Sequence, residues 1–95
     1  MKFAFILMGN FDSKKDRSVF AGSETHTIGV SSVAEACEVA KELATQGFGC
    51  IELCGAFCEE GARAVIEATD HKIPVGFVVH LPEQDELFRK AFPND

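Results

Sequence analysis

The chain has 95 residues, 46% of them apolar, and a formal net charge of −6, which is the scale of one domain, residues 1–95, around one core. Its acidic balance repels phosphate backbones and anionic lipid headgroups, and Asp16 interrupts the only basic cluster, Lys14, Lys15 and Arg17, so neither nucleic acid nor membrane is expected as a partner. Nine Phe in so short a chain call for a dense core or for apolar surface shared between subunits, and a homo-oligomer is expected.

The apolar run Phe3–Met8 reads as a strand. It is at the short limit for a secretory leader and no small-residue cleavage site follows it, and no apolar run approaches the roughly 20 residues that span a bilayer. A cytoplasmic protein follows as the expectation, with its four Cys reduced. Ser13–Phe20 is predicted as a short helix capped by Asp12 or Ser13; without it, the strands on either side would pair antiparallel. Glu24–Val30, mixed and β-branched, is the second strand.

The next helix has the clearest signals. Ser32 and Glu35 have capping-box spacing, Gly47 suits a left-handed C-cap, and Val33, Cys37, Ala40 and Ala44 fall on one face. Cys50–Cys54 is a third strand, Phe57–Asp70 a helix that packs Ala62, Val65 and Ile66 inward, and Val75–His80 a fourth strand after Pro74. Pro82, an acidic first turn and the basic pair Arg89 and Lys90 ahead of Pro93 mark a last helix with an apolar stripe of Leu87, Phe88, Ala91 and Phe92.

The order β(α)βαβαβα defines an α/β fold with a four-stranded, mainly parallel sheet. A flavodoxin-like order 2-1-3-4 puts the most apolar strand at the centre and Glu24–Val30 at an edge. The alternative is a half-barrel in order 1-2-3-4 that closes into an eight-stranded ring on dimerisation.

The segments Val39-Ala40-Lys41-Glu42-Leu43, Ile51-Glu52-Leu53-Cys54-Gly55-Ala56-Phe57 and Pro74-Val75-Gly76, with the apolar opening strand, resemble a family of small bacterial proteins known only as a domain of unknown function. The resemblance covers roughly the first 80 residues and rests on the element I-E-L-C-G-x-F; the tail Pro82–Asp95 lies outside it. It implies an α/β fold and carries over no activity, cofactor or catalytic residue.

In the preferred topology, a crevice opens at the strand C-terminal edge beside Asn10, Ser31 and Gly55, where a small molecule would bind. Cys54 stands just before a helix N-terminus, a position that favours a reactive thiol, and His80 ends the neighbouring strand; a thiol-dependent enzyme would use Cys54 with His80 or Glu52. The competing reading of Cys54 is a small buried hydrophobe. Glu52, a carboxylate in mid-strand, needs a hydrogen bond, a cation or a subunit interface, or serves as an acid/base group. The spacing of Cys50, Cys54 and Cys58 does not make a metal site, since four extended residues separate the first two by about 13 Å; Cys54 and Cys58 alone could approach across the turn as a dithiol or as a partial site with His80. With no glycine-rich phosphate motif and with Glu59 and Glu60 in the first helical turn, no cofactor is expected. A third reading is a purely structural oligomerisation module that buries Phe88, Phe92 and the strand Glu24–Val30 in a subunit interface.

Overall fold

The computed structural model describes residues 1–93; residues 94–95, the end of the expected domain, lie outside the described residues. Five strands, β1 (Lys2–Met8), β2 (Arg17–Phe20), β3 (Thr25–Val30), β4 (Phe48–Leu53) and β5 (Val75–Phe77), alternate with helices α1 (Val33–Thr45), α2 (Cys58–Ala68) and α3 (Asp85–Ala91). The sheet is mixed, in order β2-β3-β1-β4-β5, with β2 antiparallel to β3 and the remaining pairs parallel.

This corrects the expected strand count: the sheet has five strands and is mixed, while the four expected strands lie in the order β3-β1-β4-β5 and pair in parallel. The segment predicted as a first helix, Ser13–Phe20, supplies a fifth strand instead, Arg17–Phe20. Among its eight residues only Val19 and Phe20 are apolar, so it has no helical stripe to bury. Ala21, Gly22 and Ser23 all have positive φ and turn the chain directly back, pairing Phe20 with Thr25 and Arg17 with Ile28. The strand Glu24–Val30 is therefore not an edge. The half-barrel order is not observed either, because β1 is flanked by β3 and β4. The fourth strand ends at Phe77 rather than His80: Val78 N–H still reaches Leu53 O at 2.9 Å, but β4 stops there and offers no further partner.

α1 forms where its cap is written. Ser32 is extended and its hydroxyl accepts from Glu35 N–H at 3.0 Å, while Gly47 leaves the helix at φ +82°. The capping box is only half formed, since the Glu35 carboxylate accepts from Ser31 and Ser13 rather than from Ser32 N–H.

Chirality decides where the helices lie. The crossovers β3-α1-β4 and β4-α2-β5 both move in the same direction across the sheet, so two right-handed connections place α1 and α2 on one face. Ala4, Ile6, Ile28, Val30, Ile51 and Leu53 point there and are fully buried against Ala36, Ala40, Leu43 and Val65. A helix between β1 and β3, a connection that steps the other way across the sheet, would have covered the second face. Its replacement by β2 leaves that face open, with Phe3, Phe5, Leu7, Cys50 and Glu52 partly exposed. Phe11 covers one end of it, lying over Gly9 and Gly29, where added Cβ atoms would stand 2.9 and 2.7 Å from its side chain.

Among the described residues, no helix is long and apolar enough to cross a membrane.

Candidate functional site

The C-terminal end of β4 runs into a short turn that gathers several side chains. Cys54 is still extended, at ψ 164°, and its N–H donates to Ile6 O at 3.1 Å. Its sulfur accepts from Met8 N–H at 3.3 Å, which ties the thiol to the end of β1. Gly55–Phe57 then make one 3₁₀ turn. Phe57 is buried and its side chain lies against Gly61, which anchors the turn. A Cβ at Gly55 would stand 3.3 Å from Val78 O, so glycine there allows the turn to approach the end of β5 closely.

Cys58 starts α2 with φ 56° and ψ −175°, a region that essentially only glycine occupies without strain. It is exposed, and its thiol lies 3.6 Å from Gly55 O.

Between this turn, the residues after β5 and α3 lies a cavity of about 500 Å³. Cys54, Gly55 and Cys58 form one wall, Phe77 to His80 the second, and Phe88 with Phe92 the third. The lining is chiefly apolar. His80 organises its outer rim: its ring stacks on Phe88 with centroids 3.9 Å apart and planes 9° from parallel, and Nε2 lies 2.7 Å from Asp85 Oδ1. An ionised carboxylate only accepts, so Nε2–H is the donor, and in the neutral imidazole Nδ1 is left as an acceptor.

The six residues singled out from the sequence separate into distinct places. Cys54, Gly55 and His80 line this cavity. Glu52 lies on the open sheet face, with its carboxylate over Gly76, and the Cys50 thiol donates to it across 3.8 Å. Burial, reinforced by the Glu52 carboxylate, pushes the Cys50 thiol up. Ser31 directs both its backbone N–H and its hydroxyl to Glu35 at 2.6 and 2.8 Å, a structural use, and does not line the cavity. Asn10 is exposed beyond β1 and does not line it. Burial also raises the thiol of Cys37, which packs against the core.

Sequence reasoning missed Asp85 and the stack of Phe88 on His80 as parts of this place. Cys58 is expected beside Cys54 across the turn, with His80 as a further member, and all three line the cavity; among the described residues no group of three or more His, Cys, Asp or Glu is placed to hold a metal ion. The five-residue separation of His80 and Asp85 gave a usable signal only together with the Pro82 helix start.

No curated protein and no solved structure matches the chain. A family model described as a family of unknown function, DUF6506, matches residues 1–93, which carries the likeness past the first 80 residues and into the last helix. With strand, turn and C-terminal helix all inside that match, the chain belongs to this family of unknown function.

Proposed function

We propose that the protein binds a small, mainly apolar molecule in the cavity at the C-terminal edge of its sheet, as a reduced cytoplasmic protein. The observation that supports this is the cavity itself: its volume of about 500 Å³ falls within the range of small-molecule sites, and apolar walls with a few polar groups at the rim are typical of them. Phe88 and Phe92 offer aromatic faces, and His80 Nδ1 offers one acceptor. Glu59 on the lining and the net charge of −6 oppose an anionic ligand, so the preferred class is a flat neutral or cationic aromatic molecule. Titrating ¹⁵N-labelled protein separately with indole, benzamidine and benzoate tests this. Amide shifts at Cys54, Gly55, Cys58 and His80 are expected with the first two and not with benzoate. No shift at these residues with any of the three sinks the reading.

A second reading, thiol chemistry in the same cavity, is favoured by the backbone of Cys58. It puts a strained backbone under an exposed thiol that lines the same cavity as a His80 oriented by Asp85, which supplies a nucleophile, a base and an orienting carboxylate. Cys54, the thiol chosen from the sequence, is only partly exposed whereas Cys58 is exposed, and Glu52 is not among the lining residues. Iodoacetamide should then modify Cys58 before Cys54, and more slowly in His80→Ala; equal rates in the two proteins count against it.

A further inference from the structure

Two apolar surfaces on this chain lack cover. The first is the open face of the sheet. β1 reads Phe3-Ala4-Phe5-Ile6-Leu7-Met8, apolar on both pleat faces, a pattern that belongs to strands buried on both sides. Its own chain buries only the side of Ala4 and Ile6, and Phe3, Phe5 and Leu7 remain partly exposed.

The second is the C-terminal arm. α3 has seven residues and buries none of them, although helices so short are marginal without packing. Leu87, Phe88 and Phe92 are 59%, 41% and 54% exposed, and Val78, Val79 and Leu81 ahead of them 49%, 72% and 64%. Summed over the six side chains, the exposed area is about 600 Å², a large part of the roughly 800 Å² that each partner contributes to a stable interface.

Charge joins the two surfaces. Glu52 on the open face is in no ion pair among the described residues, and neither are Arg89 and Lys90, which flank the apolar stripe of α3. A partly buried carboxylate and two long cations, none of them in an ion pair among the described residues, are complementary. We propose that the occupant of the open face is the arm of a second copy: a two-fold homodimer in which each arm lies across the other copy's β1 and β4 and brings Arg89 or Lys90 to Glu52. Such exchange is isologous and closes on itself, so it yields a dimer rather than a fibre. Val78, Val79, Phe88 and Phe92 also line the cavity, so the exchange and a ligand in the cavity draw on the same side chains.

Light scattering on the full chain tests this. Wild type should have twice the 10.3 kDa subunit mass. Leu87→Asp with Phe92→Asp, both exposed within one chain, should keep the far-UV circular dichroism and weaken dimerisation at least about tenfold. Glu52→Arg should weaken it similarly, and adding Arg89→Glu and Lys90→Glu should restore it. A monomeric wild type, a dimer indifferent to the arm substitutions, or no recovery in the charge-reversed protein overturns the proposal. Should Glu52→Arg fail to fold, carbodiimide treatment of mixed ¹⁵N and ¹⁴N wild type decides. A Glu52–Lys90 link between isotopes is expected, and links only within one isotope overturn the proposal.

Discussion

Glu35 on α1 accepts the backbone N–H of Ser13, 22 residues earlier, at 2.9 Å, and so fastens the β1–β2 loop to the start of the helix. The Ser31 backbone N–H is the largest influence on this carboxylate, followed by Ser13 and the Ser31 hydroxyl, and together they hold it at about 2 instead of 4.5. A group whose pKa is depressed on folding stabilises the fold above its unfolded value and loses that contribution as pH falls through the folded one. Thermal melts should therefore show wild type above Glu35→Gln at neutral pH, with the gap closing between pH 4.5 and about 2. A gap of the same size at both ends of that range would remove Glu35 ionisation as its cause.

Gly29 lies beneath Phe11, and a Cβ there would stand 2.7 Å from the Phe11 Cβ and 2.8 Å from its Cγ. These atoms are close to the backbone and cannot swing aside, so Gly29→Ala must displace the loop. We expect a loss of about 1–3 kcal/mol by urea unfolding, the cost of overpacking. Gly22, which has nothing within 4 Å of its Cβ position but a φ of +62°, should respond to Ala through backbone strain alone, by about 1 kcal/mol.

Cys58 carries side-chain chemistry in a glycine conformation, at φ 56° and ψ −175°. Cys58→Gly should stabilise the protein by about 1 kcal/mol in the same assay, and Cys58→Val should destabilise it, since β-branching worsens a positive φ. A destabilised Cys58→Gly would show that the thiol contributes more than its backbone costs.

Leu53 is completely buried and Leu87 is 59% exposed. Leu53→Ala should cost about 2–5 kcal/mol at any protein concentration. Leu87→Ala should cost little in dilute solution, and where the proposed dimer is populated its melting temperature should rise less with protein concentration than that of wild type or Leu53→Ala. Identical concentration dependence for both variants would be inconsistent with this division.

The elements that could be read from the sequence are those with local causes. Ser32, Glu35 and Gly47 delimit α1 through capping chemistry, and Ser32 does cap it. The alternation of Ile51 and Leu53 with Glu52 shows which side of β4 enters the core. Pro82 and the acidic turn after it mark the start of the last helical segment, a 3₁₀ turn over Pro82–Gln84 that runs into α3. Misreading Arg17–Phe20 had a specific physical origin. Its strand character comes from pairing with β3, and a four-residue segment with two apolar side chains has too little periodicity to reveal that.

That single pairing also decides the layer structure. Through capping, alternation and turn chemistry, the sequence by itself determined an α/β chain with α1, α2 and the strands they follow, because each of those signals acts within a few residues. Only the tertiary structure decided that α1 and α2 share one face, that Glu52 and Cys54 serve different surfaces, and that His80 meets Asp85 and Phe88 at a cavity rim. Those outcomes depend on crossover handedness and on contacts between distant segments, which no local pattern of residues encodes.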